Sequence, residues 1–69
     1  MIAITVNGEP RNTRDGETVR GLIDALAFDG GDRGVAVAVN NDVVPRADWT
    51  TTTLASGDEV EIIHAVQGG

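Results

Sequence analysis

A chain of 69 residues forms one small domain, and without cysteine it has neither disulfides nor zinc–thiolate sites to staple it. Eleven acidic residues stand against five arginines and no lysine, and the net charge of −6 argues against nucleic-acid binding. No apolar run approaches the roughly 20 residues of a membrane span and no secretory signal is visible, so a cytoplasmic location is expected. The acidity serves either plain solubility or a partner with a basic surface.

Met1 to Val6 alternates, with Ile2, Ile4 and Val6 on one face, as in a half-buried strand. Asn7-Gly8 follows, a pair suited to the positive φ angles of a tight hairpin turn. The return strand runs from Glu9 to Thr13, and Pro10 places it at a sheet edge. Asp15-Gly16 marks a second turn. Thr18 then reads as a helix N-cap, with Asp15 and Glu17 favouring the helix dipole. Val19, Leu22, Ile23 and Leu26 form the stripe of an amphipathic helix over Val19 to Ala27. Gly21 inside it costs up to about 1 kcal/mol against alanine, which a close approach of helix to sheet would explain. Asp29-Gly30-Gly31-Asp32 is a polar loop.

Val35 to Val39 is a strand with valines on one face and alanines on the other. Asn40-Asn41-Asp42 turns the chain, and Val43-Val44 forms a short strand stopped by Pro45. Arg46 to Thr53 has room for one helical or 3₁₀ turn around Trp49, itself a core anchor, a lid or part of a contact surface. Ser56-Gly57-Asp58 is another turn. Glu59 to Val66 alternates again, with Val60, Ile62, His64 and Val66 on the inward parity. Residues 1–66 thus make the domain, and Gln67-Gly68-Gly69 makes a mobile tail. The class is α+β, one helix packed across a small mixed sheet. With the first and last strands parallel at its centre, it becomes a ubiquitin-like β-grasp.

Little in the side chains points to catalysis. His64 reads as a packed or hydrogen-bonded histidine, and nothing marks Ser56 as an activated nucleophile. Gly30, Gly31 and Gly34 follow a helix, whereas a phosphate cradle precedes one. The acidic residues lack a metal-ligand spacing. No metal, permanently bound cofactor or catalytic residue of its own is expected.

The C-terminus remains. Glycines without side chains can thread a narrow channel in another protein. Ala65 to Gly69, fully extended, reaches roughly 16 Å beyond the domain. ATP can convert a terminal carboxylate into an acyl-adenylate, and a sulfur nucleophile can then make it a thiocarboxylate, with no side chain required of the carrier. Ala3, Ala36, Ala38, Ile63 and Ala65 take the strand parity opposite to the core, with Glu59 and Glu61 as a rim. Together they form a candidate docking patch, set against the simpler reading of scattered exposed alanines.

Several stretches carry a resemblance along the whole chain. They are Val6-Asn7-Gly8, Asp15-Gly16-Glu17-Thr18-Val19, Val37-Ala38-Val39-Asn40, and Val44-Pro45-Arg46 with Trp49. Gly57-Asp58-Glu59-Val60-Glu61-Ile62 and the closing Ala65-Val66-Gln67-Gly68-Gly69 complete the set. In this order and at this length they resemble the ThiS family, the sulfur carriers of thiamine biosynthesis. The resemblance implies a β-grasp carrier that is a protein co-substrate and not an enzyme. It implies that an E1-like adenylyltransferase spends ATP on the carboxylate of Gly69. A cysteine desulfurase relay then supplies sulfur, and thiazole synthase consumes the thiocarboxylate. Gly69 carries over as the modified residue, with Gly68 and Gln67 as its tail. The Gly30-Gly31-Asp32-Arg33-Gly34 loop is looser than the family pattern. Three alternatives stay open: the small subunit of molybdopterin synthase or another sulfur carrier, a ubiquitin-like protein modifier, and an interaction module with an inert tail.

Overall fold

Alternation at the start of the chain produces strand β1 (Ile2–Val6), and Asn7 and Gly8 turn it at φ angles of 53° and 84° into β2 (Glu9–Thr13). The structure, a computed structural model, describes residues 1–26 and 33–64. Helix α1 (Val19–Leu26) follows, then β3 (Val35–Val39), β4 (Asp42–Val44), a 3₁₀ turn (Arg46–Asp48) and β5 (Glu59–His64). Ala27, the Asp29–Asp32 loop with Gly30 and Gly31, and everything from Ala65 onward lie outside the described residues.

The five strands form one sheet in the order β2-β1-β5-β3-β4. β1 and β5 run parallel at its centre, with Thr5 beside Glu59 and Val6 beside Val60. All other pairs are antiparallel. Pro10 falls on the edge strand, where a missing N–H breaks no ladder. This is the mixed α+β sheet of a β-grasp.

Helix α1 covers one face of the sheet. Val19, Leu22 and Ile23 bury its apolar stripe against Ile4, Val35, Val37, Val60 and Ile62. Trp49 and Leu54 close the same core from the long segment before β5. Trp49 is 1% exposed, and its indole N–H donates to the carbonyl of Val44 at 2.9 Å, so it is an anchor and not a lid. The guanidinium groups of Arg20 and Arg46 lie 5.3 and 4.8 Å from its ring centre, at cation–π range.

The helix begins as its sequence predicts, with the Thr18 hydroxyl accepting the Gly21 N–H at 3.1 Å. Gly21 itself has a different cause from the one expected. A Cβ there would collide with the carboxyl group of Glu17, not with the sheet. Glu17 is the one buried charged residue among the described residues. Its carboxylate folds back over the first turn, accepts the Thr18 N–H at 3.1 Å and lies 3.5 Å from the Arg14 guanidinium. His64 also departs from expectation. It keeps the inward parity but is exposed, because β5 there extends to the rim of the sheet, opposite Val35.

Candidate functional site

A single helix can cover only one face of a sheet, and the other face is left to water. On that outer face Ala36 pairs with Ile63, and Ala38 lies between Glu61 on β5 and Val43 on β4. Together they line a shallow depression. Ile63 is 65% exposed and Val43 74% exposed. Large aliphatic side chains held in water beside two alanines make a contiguous apolar patch, which is informative where scattered exposed residues are not.

The seven residues expected to form a docking surface are not all together. Ala36, Ala38, Glu61 and Ile63 converge. Glu59 is exposed one step back along β5, beside Thr5. Ala3 lies a further two residues back, roughly 20 Å from the level of Ile63 at the usual rise along a strand. It shares the face but not the patch. Ala65 lies outside the described residues, as do Gln67, Gly68 and Gly69. Val43 belongs to the patch and was missed, because three residues of β4 are too few to fix a parity from sequence.

The end of β5 is held by a contact that no sequence pattern announces. Val6 is the last β1 residue paired to β5, after which the Asn7 N–H still reaches the Val60 carbonyl at 2.8 Å. The Asn7 side chain then continues the ladder. Its Oδ1 accepts the Ile62 N–H at 2.8 Å, and its Nδ2 donates to the Ile62 carbonyl at 3.2 Å. At the other end of β5, Asn40 Oδ1 accepts the Glu59 N–H at 2.9 Å and Asn40 Nδ2 donates to Asp58 at 3.0 Å. Both asparagines have positive φ, at 53° and 51°. From sequence they read only as turn formers.

Among the described residues no cluster of three or more His, Asp or Glu side chains is placed to hold a metal ion. No helix among them is long and apolar enough to cross a membrane. What the described residues offer is a flat apolar face with an acidic border, beside a braced strand that leads into the C-terminal segment.

Known proteins resemble this chain in sequence and in fold. Residues 4–69 match the model of the ThiS family. The chain is 30% identical over 66 residues to the sulfur carrier protein ThiS of Escherichia coli, covering 96% of this chain and 97% of that protein. It is 38% identical over 66 residues to a thiazole synthase of Magnetococcus marinus, covering 96% of this chain and 20% of the synthase. The chain thus spans about a fifth of the length of that relative. The crystal structure of the thiamine biosynthesis protein ThiS from Geobacter metallireducens superposes with a TM-score of 0.82 at 31% identity, covering 99% of this chain and 100% of the other.

Proposed function

This chain belongs to the ThiS family, the sulfur carriers of thiamine biosynthesis, and on that premise we propose that it carries sulfur on the carboxylate of Gly69. The observation that carries the reading is the family match itself, which runs to residue 69 and so includes the glycine pair. The side chains fit a carrier, since the chemistry asks none of them to react.

In the proposed sequence, a carboxylate oxygen of Gly69 attacks the α-phosphorus of ATP on an E1-like adenylyltransferase. Pyrophosphate leaves, and the product is an acyl-adenylate. A sulfur nucleophile attacks the carbonyl carbon and expels AMP. If the sulfur comes as hydrosulfide, loss of its proton gives the thiocarboxylate directly. If a desulfurase relay delivers it as a cysteine persulfide, the first product is an acyl disulfide. A thiol then attacks the relay sulfur, supplies two electrons, and releases the thiocarboxylate and a disulfide. Thiazole synthase is the proposed acceptor. The support is that proteins named thiazole synthase contain a stretch similar to nearly all of this chain.

The outer patch of Ala36, Ala38, Val43 and Ile63 is the proposed grip, with Glu59 and Glu61 meeting basic groups of the partner. Its acidic border disfavours a second copy of the chain as occupant. The test uses the full chain with a ThiS-type adenylyltransferase, ATP and sulfide. Intact mass spectrometry should record a gain equal to the difference between one sulfur and one oxygen. Deletion of Gly69 should abolish it. An unchanged mass in the intact chain, under conditions that convert a known ThiS protein, would sink the proposal. Covalent adducts on other proteins would point to a protein modifier instead.

A further inference from the structure

β5 loses its parallel neighbour before it ends. β1 accompanies it only as far as Val6 and then turns away through Asn7 and Gly8. Beyond that level β3 holds one side of β5, through Ala36 opposite Ile63 and Val35 opposite His64. On the other side, the Asn7 side chain engages both the N–H and the carbonyl of Ile62, as the backbone of a continued β1 would. We propose that Asn7 is a positioning residue for the C-terminal tail: its amide keeps the last residues of β5 extended, so that Gly69 enters the partner's site with few residues left to order. This rests on the carrier reading above.

The residue type is dictated twice. The turn requires φ of 53°, which Gly, Asn and Asp tolerate. The clamp requires a donor and an acceptor on one short planar group. Glycine has neither and aspartate lacks the donor, so asparagine alone satisfies both. The segment 63–69 spans at most about 24 Å when extended. Without the clamp, Ile62 keeps only its β3 neighbour, and each residue that frays from there on must be ordered again as the tail is threaded. Ordering one backbone residue slows that step by roughly tenfold. The apolar patch that grips the body is untouched.

The test compares wild type, Asn7→Gly, Asn7→Asp and a stability control, Val19→Ala, in ATP-dependent adenylation of the full chain. All are assayed well below their melting temperatures. Hydrogen exchange at the Ile62 amide reports the clamp. Asn7→Gly keeps the turn and should accelerate that exchange. It should lower kcat about tenfold, with the KM for the carrier held within about twofold. Asn7→Asp retains the acceptor for the Ile62 N–H and should fall in between, a comparison that stands even if the glycine variant is too unstable. Val19→Ala should keep the wild-type kcat. The proposal is overturned if exchange rises at Asn7→Gly while kcat is unchanged, or if Val19→Ala loses kcat equally. Failure of wild type itself would overturn the carrier reading, and this one with it.

Discussion

Glu17 and Gly21 show how a residue's reason can lie one turn away. A glycine in a helix normally invites replacement by alanine, which stabilises by up to about 1 kcal/mol. Here the added Cβ would displace the Glu17 carboxyl group from its place over the first turn. Glu17 would then lose its bond to the Thr18 N–H and its proximity to Arg14. Hydrogen bonds to charged groups contribute about 1.5–3 kcal/mol, which outweighs the helix gain. Gly21→Ala should therefore destabilise by about 1 kcal/mol in thermal or denaturant melts. The same change in a Glu17→Ala background should stabilise, reversing the sign. A glycine at an unexpected place was visible in the sequence, but the side chain requiring it was not. Helix periodicity puts the two four positions apart, yet nothing in it says that the carboxylate folds back instead of pointing to water. The amides of Asn7 and Asn40 escaped for a related reason: turn propensity explains their presence so well that it hides a second use.

At the scale of elements, strands were read correctly where a parity ran long enough. β1, β3 and β5 each have that length, and Pro10 located the sheet edge by the donor it lacks. β4 was found, but its outward residue was not, and Val43 entered the patch only through its pairing opposite Ala38. His64 shows the opposite error. Strand parity gives a direction, but burial also needs something to pack against, and at the rim of the sheet the inward face is exposed. The apolar face yields its own prediction. Ile63→Asp or Val43→Asp places a charge at the centre of the proposed contact and should weaken binding to the adenylyltransferase by roughly tenfold or more. Because both side chains are exposed, the melting curve should shift by no more than about 0.5 kcal/mol. Titration calorimetry together with thermal melts separates the two effects. Ala3→Asp, on the same face but away from the patch, should leave the affinity unchanged.

For the molecule as a whole, charge acts at longer range than any one contact. A net charge of −6 on a domain this small sets up a negative field that a basic partner surface would exploit on approach. Raising the ionic strength from about 0.01 M to 0.15 M shortens the screening length from about 30 Å to 8 Å. The association rate with the adenylyltransferase should then drop by about tenfold while the dissociation rate changes little, which stopped-flow binding can resolve. A rate indifferent to salt would assign the acidity to solubility alone.

The parallel pairing at the centre of the sheet also has a practical use. Because β1 and β5 run in the same direction, Ala3 lies level with Gly57, well before His64 on β5. Ala3 and His64 are thus at opposite ends of the sheet, roughly 23 Å apart along the strands. A purification handle, a fluorophore or a surface tether fused ahead of Met1 is held away from His64, the described residue nearest the proposed reactive carboxylate in the chain, by the fold itself. The same addition after Gly69 would replace its carboxylate with an amide. On the carrier reading, the orientation of two strands therefore decides which end of this protein an experimenter can safely hold.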